Sequence, residues 1–297
     1  MAPVETAAQL QRIGFRGEAQ AAPGRFLARV IAQHRAGYEL HDGTASFNAQ
    51  PAGQFLKRGI DPATRPVVGD FVEVEPGRPL HIQRVLERRS VLTRAAAGER
   101  YLQQIIAANI DHVLVLTGLD GDYNPARIER YLSLIEDSGA RPVVLLSKAD
   151  QAGDAAARVA ELAARLAAGT PILAVNGKDP ATVAQLAPWL GPGCSAVLVG
   201  SSGAGKSTLT NTLLGSQHMP TGAVRGHDSR GRHTTTHRAL LMLPSGGCII
   251  DTPGMRELKL TGEESLDLFA DIEELAADCR FADCGHGSEP GCAVQAA

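Results

Sequence analysis

At 297 residues, with 44% hydrophobic and 21% charged residues, the chain is long enough for two domains and has the ordinary composition of a globular protein. Five cysteines, three of them within the last 19 residues, argue against a secreted disulfide scaffold, and no apolar run reaches the roughly 18–20 residues of a membrane helix. The net charge of −3 conceals an asymmetry: residues 1–95 hold 13 Lys+Arg against 9 Asp+Glu (+4), leaving 16 against 23 (−7) in the remainder, so the first third suits a polyanionic partner.

The opening "MAPVETAAQLQRIGF" has neither a basic region nor a continuous apolar stretch, so residues 1–23 read as an N-terminal extension of a cytoplasmic protein rather than a signal peptide. Residues 24–92 read as short strands cut by turns: "GRFLARVIAQ", "YELHDGTASFNA", "RPVVGDFVEVEPG" and "LHIQRVLE". Such a run fits a small β-barrel of the OB type, and a small sandwich equally well. "TRAAAGERYLQQ" (93–104) loses the strand pattern and is the expected linker. From residue 105 strand and helix alternate. "HVLVLTGL", "RPVVLLSKAD", "TPILAVNG" and "SAVLVG" are buried strands; "NPARIERYLSLIEDSG" and "AAARVAELAARLAAG" are helices. That alternation predicts an α/β domain over 105–262 with a mainly parallel sheet.

Within "LVGSSGAGKSTLTN" (198–211), Gly200, Gly205, Lys206 and Ser207 satisfy G-x-x-x-x-G-K-S between a strand and a helix. The backbone of Gly200, Ser201, Ser202, Gly203, Ala204, Gly205 and Thr208 would wrap phosphates. Lys206 would supply a point charge, and the Ser207 hydroxyl would meet Mg²⁺. "IIDTPG" (249–254) follows about 45 residues later, with Asp251 placed to hold Mg²⁺ through water and the Gly254 amide to meet a γ-phosphate. Between them "GRHTTT" (231–236) offers hydroxyls, of which Thr236 is the candidate Mg²⁺-binding switch residue.

Downstream of the phosphate loop there is no base-reading motif. Upstream, "LLSKAD" (145–150) resembles the guanine motif N-K-x-D, with Ser147 in the Asn position followed by Lys148 and Asp150. A carboxylate at Asp150 accepts from guanine N1–H and the 2-amino group together; adenine, with a lone pair at N1 and no 2-amino group, would face an acceptor. "AVN", ending at Asn176, stands where a loop backing the base belongs. The order is thus a GTPase set rotated, a circular permutation that retains the sheet while moving the termini.

Near the C-terminus Cys279, Cys284, His286 and Cys292 are spaced C-x₄-C-x-H-x₅-C, a closed set of soft ligands for one structural Zn²⁺ over residues 263–297. Cys194 and Cys248 lie beside apolar strands and read as packed.

The permuted order, "GRHTTT", "DTPG" and this tail closely resemble the bacterial ribosome small subunit-dependent GTPase A family (RsgA, also called YjeQ), over about residues 24–292. The resemblance implies an N-terminal OB-fold binding 16S rRNA, a permuted P-loop GTPase domain using Mg²⁺ with GTP, and a C-terminal zinc segment. It also implies a monomer that acts on the 30S subunit late in its maturation. Two departures stand out. The family usually has Asn where Ser147 stands, and serine's shorter reach predicts a weaker hold on guanine. The family usually continues into a helical tail, whereas this sequence ends five residues after Cys292.

Ras-like enzymes orient water with a Gln directly after D-x-x-G; here that position is Met255. His233, ahead of the threonines, is the expected substitute, with Lys206 and Thr236 as further catalytic residues, and a partner that orders the loop should raise a slow basal turnover. Two other classes stay open: an RNA-binding assembly factor in which hydrolysis is incidental, and an ATP-using P-loop kinase, against which "SKAD" and "DTPG" count.

Overall fold

A computed structural model describes residues 3–18, 20–34, 36–57, 59–95, 103–216, 239–251 and 293. The chain divides into two compact units, residues 1–93 with 104–258, and residues 94–103 with 259–297. The first holds a β-barrel and an α/β sheet.

The barrel is built from β1 (Phe26–His34), β2 (Gly37–His41), β3 (Ser46–Pro51), β4 (Phe71–Glu75) and β5 (Leu80–Val85). Neighbours run β1-β2-β3-β5-β4 and back to β1; every pairing is antiparallel except β3 with β5. Closure removes both sheet edges. Ala28 and Val30 of β1, Leu40 of β2 and Val72 and Val74 of β4 fill the interior with Ile82. The outward face of β1 and β4 is also buried. There Leu27 and Phe71 pack against Leu10 of a helix α1 (Pro3–Arg12) and against Ile13 and Phe15 just after it. Leu10, Ile13 and Phe15 of the opening segment therefore pack on the barrel wall.

The expected linker is partly strand. Residues 93–95 complete β6 (Val91–Ala95) and residues 103–104 begin β7 (Gln103–Ala108), and the two pair as a separate ribbon.

The second sheet comprises β8 (His112–Gly118), β9 (Arg141–Ser147), β10 (Ile172–Ala174), β11 (Ser195–Gly200), β12 (Ala239–Met242) and β13 (Cys248–Asp251). Its order is β10-β9-β8-β11-β13-β12, parallel except for β12. Side chains alternate between two covered faces, as a parallel sheet requires. Val113, Val115, Val197, Val199 and Ile250 meet Tyr131 and Ile135 of α2 (Pro125–Glu136) on one face. Leu114, Leu116, Leu198 and Ile249 meet Leu186 of α4 (Ala181–Leu186) and Leu209 and Leu213 of α5 (Lys206–Leu214) on the other. A further helix, α3 (Ala155–Arg165), places Leu162 against Val144 and Leu146 of β9. α2 starts where the sequence signals it: Pro125 occupies the first turn and Asn124 Oδ1 accepts from Arg127 N at 3.0 Å.

Strand order reverses between β8 and β11, because β9 and β10 are laid down on the far side of β8 while β13 and β12 lie on the far side of β11. A crevice at the carboxyl ends of strands flanking such a reversal is where open α/β sheets bind ligands.

The barrel and the second sheet meet at Arg29, whose guanidinium is fully buried. It donates to Ile13 O, to Gly69 O (3.1 Å), to Asn109 O (2.9 Å) and to the Ser195 hydroxyl at the start of β11 (2.7 Å), and lies 5.0 Å from the Phe71 ring centre. Burial pulls its pKa down to about 10, partly offset by the Cys248 thiol and by Asp111 and Asp70, so it remains a cation at neutral pH. Beside it, Asp70 takes a two-pronged contact from Arg88, Nε to Oδ1 at 2.7 Å and Nη2 to Oδ2 at 2.8 Å.

Candidate nucleotide site

β11 delivers the phosphate loop, and two of its glycines are required by geometry. Gly200 has φ +143°, and a Cβ there would lie 2.1 Å from Leu116 O on the neighbouring strand. Gly205 caps α5 with φ +93°, a left-handed conformation that only glycine adopts cheaply. Lys206 then begins α5, and its ammonium donates to Gly200 O and Ser201 O, both at 2.6 Å, across the mouth of the loop. Burial lowers the Lys206 pKa, against an opposing pull from Asp251 and Asp122. Asp251, nearly buried, closes β13, whose residues pair with β11 through Val197 and Ile250. The loop, the lysine and the carboxylate expected beside Mg²⁺ thus share one end of the sheet. Ser207 in the first turn of α5 and Asp251 offer the hard oxygen donors that Mg²⁺ prefers.

The residues expected to read the base arrive from the other side of the reversal. A pocket of ≈ 150 Å³ is lined by Ser147, Lys148 and Asp150 from the end of β9, Asn176 and Lys178 from the loop after β10, and Gly205, Thr208 and Leu209 from the phosphate loop and α5. Segments about 30 and 60 residues apart in sequence therefore form one wall-to-wall cavity. Lys148 adopts φ +60°, and Asp150 sits in a single turn (Ala149–Gln151) hung on the next strand by Ala149 N donating to Val175 O at 3.2 Å. Asn176 turns its side chain to its own loop, accepting from Lys178 N at 3.0 Å.

Ser147 lines this pocket and is tied to the phosphate loop. Its hydroxyl is buried and donates to Ala204 O of the phosphate loop at 2.6 Å, with Thr117 O at 3.2 Å. A hydroxyl has one proton to give, and the shorter contact takes it. Ser147→Ala should leave Ala204 O without that donor and weaken GTP by about tenfold at most, an uncharged hydrogen bond's worth. The guanine-over-xanthine preference should not change; nucleotide competition on the purified variant would reveal a changed preference and so give Ser147 a direct role at the base.

The segment after β8, residues 118–124, carries no named motif, yet it touches both halves of the site. Asp120 Oδ2 accepts from Lys148 Nζ at 2.5 Å, and Asp122 Oδ2 accepts from the Ser201 hydroxyl. Its sequence signal was present: a Gly- and Asp-rich turn at the carboxyl end of the strand beside the phosphate strand. Thr236, His233 and Gly254 lie outside the described residues, as do Cys279, Cys284, His286 and Cys292. Cys248 is fully buried, its thiol pKa raised by that burial, and Cys194 is half-buried.

A sequence model of the RsgA GTPase family matches residues 85–261. The chain is 57% identical over 289 residues to "Small ribosomal subunit biogenesis GTPase RsgA" of Xanthomonas axonopodis pv. citri (strain 306), covering 95% of this chain and 77% of that protein. It is 56% identical over 286 residues to the protein of the same name from Xanthomonas oryzae pv. oryzae (strain MAFF 311018), with the same coverage. Among solved structures it is similar to YjeQ from Thermotoga maritima, with a TM-score of 0.61 and 25% identity over 92% of this chain and 90% of that one. It also shares the fold of YloQ, described as a circularly permuted GTPase, with a TM-score of 0.58 and 22% identity over 94% and 90%. No helix among the described residues is long and apolar enough to cross a membrane. A phosphate loop whose pocket is completed by residues from ahead of it in sequence, together with these likenesses, places the chain in the RsgA GTPase family.

Proposed function

We propose that the protein is a circularly permuted GTPase that binds and hydrolyses GTP and serves biogenesis of the small ribosomal subunit in the cytoplasm. The observation that carries the nucleotide part is the single pocket in which Asp150 and Lys148 face Gly205 and Thr208. It aligns a purine reader with a triphosphate cradle. The ribosomal part rests on the relatives' names.

Lys206, Ser207 and the backbone of residues 200–205 hold the phosphates; Asp150 reads the guanine edge while Lys148 and Asn176 flank it. Ser207, Thr236 and Asp251 would hold Mg²⁺, which would supply positive charge to neutralise the phosphates. With Met255 unable to orient water, His233 is assigned that task, and its loop is set in order by the ribosomal partner. The closed barrel is read as an OB-fold that meets 16S rRNA through its excess of Arg and Lys. Cys279, Cys284, His286 and Cys292, three thiolates and an imidazole, suit one structural Zn²⁺. The working unit is a monomer with a barrel at 24–92, a GTPase domain at 105–262 and a zinc segment at 263–297.

Purified protein should hydrolyse GTP slowly alone and faster with 30S subunits, while ATP turnover stays at background in both cases. GTP binding with turnover indifferent to 30S would replace this reading with a GTP-sensing assembly factor. Equal use of ATP would remove the guanine reader.

A further inference from the structure

The turn between β8 and α2 ties the base side of the pocket to the phosphate side through an unbroken run of bonds. At one end, Lys148 Nζ donates to Asp120 Oδ2 at 2.5 Å. The other oxygen of the same carboxylate, Oδ1, accepts from the backbone N–H of Asp122 at 3.1 Å. Asp122 in turn accepts from the Ser201 hydroxyl on Oδ2 and from Arg127 Nη2 on Oδ1 at 2.6 Å, which anchors it to the first turn of α2. The strand end supplies two more supports: Leu119 N donates to Ser147 O at 2.8 Å, and Gly118 N approaches Asp122 Oδ2 at 3.4 Å. The Lys148 contact holds the Asp120 pKa down, so the carboxylate is charged and the link intact at neutral pH. Gly118 makes the path possible, because a Cβ there would lie 2.5 Å from Asp120 Oδ1 and 3.4 Å from Lys148 Nζ.

We propose that Asp120 and Asp122 are positioning residues that form a relay: a base seated against Lys148 fixes Asp120, which fixes Asp122, which fixes Ser201 and with it the opening of the phosphate loop. Base recognition thereby pre-shapes the phosphate cradle, and the affinity supplied by the phosphates depends on a residue that never touches them. Preorganisation of this kind raises affinity by lowering the ordering cost on binding. The inference rests on the proposed guanine-nucleotide site.

The test is competition of GDP and of guanosine against a fluorescent GDP analogue on the full chain. Asp120→Asn keeps the shape and removes the charge. It should weaken GDP about three- to fivefold, the upper range for an exposed ion pair, and guanosine by less. Asp122→Asn, which breaks two charged contacts, should weaken GDP about tenfold or more. In one relay the second break adds nothing, so the double variant should match Asp122→Asn alone. Gly118→Ala retains both carboxylates and should reproduce the Asp120→Asn loss by pushing Asp120 off its partners. Asp120→Asn lowering guanosine and GDP by the same factor would mean that it only orients Lys148, and the relay falls. A double variant whose loss is the product of the single losses would also overturn it. If the unaltered chain binds no GDP, the nucleotide site and the relay fall together.

Discussion

Asp150→Asn will weaken GTP binding on the order of 10²- to 10³-fold and strengthen binding of XTP relative to GTP. The carboxylate is an acceptor only, matched to guanine N1–H and the 2-amino group, and each charge-assisted contact contributes about 1.5–3 kcal/mol. An asparagine turns one acceptor into an N–H donor. That donor faces the guanine 2-amino group badly and the xanthine 2-oxo group well, so the same pocket changes its preference by repulsion as much as by attraction. The single turn that carries Asp150 is held by Ala149 N on Val175 O, which the substitution leaves alone, so the pocket of ≈ 150 Å³ should keep its shape. Displacement of a fluorescent nucleotide by GTP, XTP and ATP measures the change. A variant that still prefers GTP over XTP by the original factor would move the base reader to another residue.

The second large effect is on stability. Arg29→Met should destabilise the fold by about 3–5 kcal/mol, because several buried acceptors lose their donor at about 1–3 kcal/mol each, and lower the melting midpoint by roughly 10 °C for a unit of this size. Replacing a buried ion pair by apolar residues can be neutral when both partners are replaced. Here the partners are three backbone carbonyls and the Ser195 hydroxyl, none of which a substitution at position 29 can remove. Methionine fills the volume and leaves those groups without a donor. Arg29→Lys restores a charge but not the planar fork, so its loss should fall between the two. Thermal and urea unfolding monitored by circular dichroism provide the measurement; a Met variant melting within about 2 °C of the parent would mean that the junction takes in water and relaxes.

The sheet was legible because its strands are buried on both faces and so read as runs such as "HVLVLTGL", and the phosphate loop because its glycines and lysine stand at fixed spacing. Barrel closure was not legible. Five short strands suit a sandwich as well, and what decides is the parallel pairing of Ala49–Pro51 with Leu80–Ile82, a contact about 30 residues apart in sequence. Arg29 was hidden for a related reason. In "RFLARVIAQ" it alternates with Ala28 and Val30 as a solvent-facing residue would, and only a second structure laid over that face buries it. The same covering explains why α1 went unseen: "PVETAAQLQR" has few apolar residues, and Leu10 within it, like Ile13 and Phe15 after it, has meaning only against Leu27 and Phe71. Ser147 was read from its place in a four-residue pattern. That pattern gave its location and not its bond, because the choice between base and loop depends on the distance to Ala204, 57 residues away in sequence.

The rung between Ala32 of β1 and Ala239 of β12 joins the barrel to the outermost strand of the nucleotide-binding sheet. β12 is antiparallel to β13 on its other side, so without the barrel it would present a raw row of amide and carbonyl groups to solvent. A fragment begun after β7 would have such a sticky margin, along with the bare flank that Arg29 now covers. The N-terminal module thus shields part of that margin, and a fragment lacking it should self-associate more readily than the full chain.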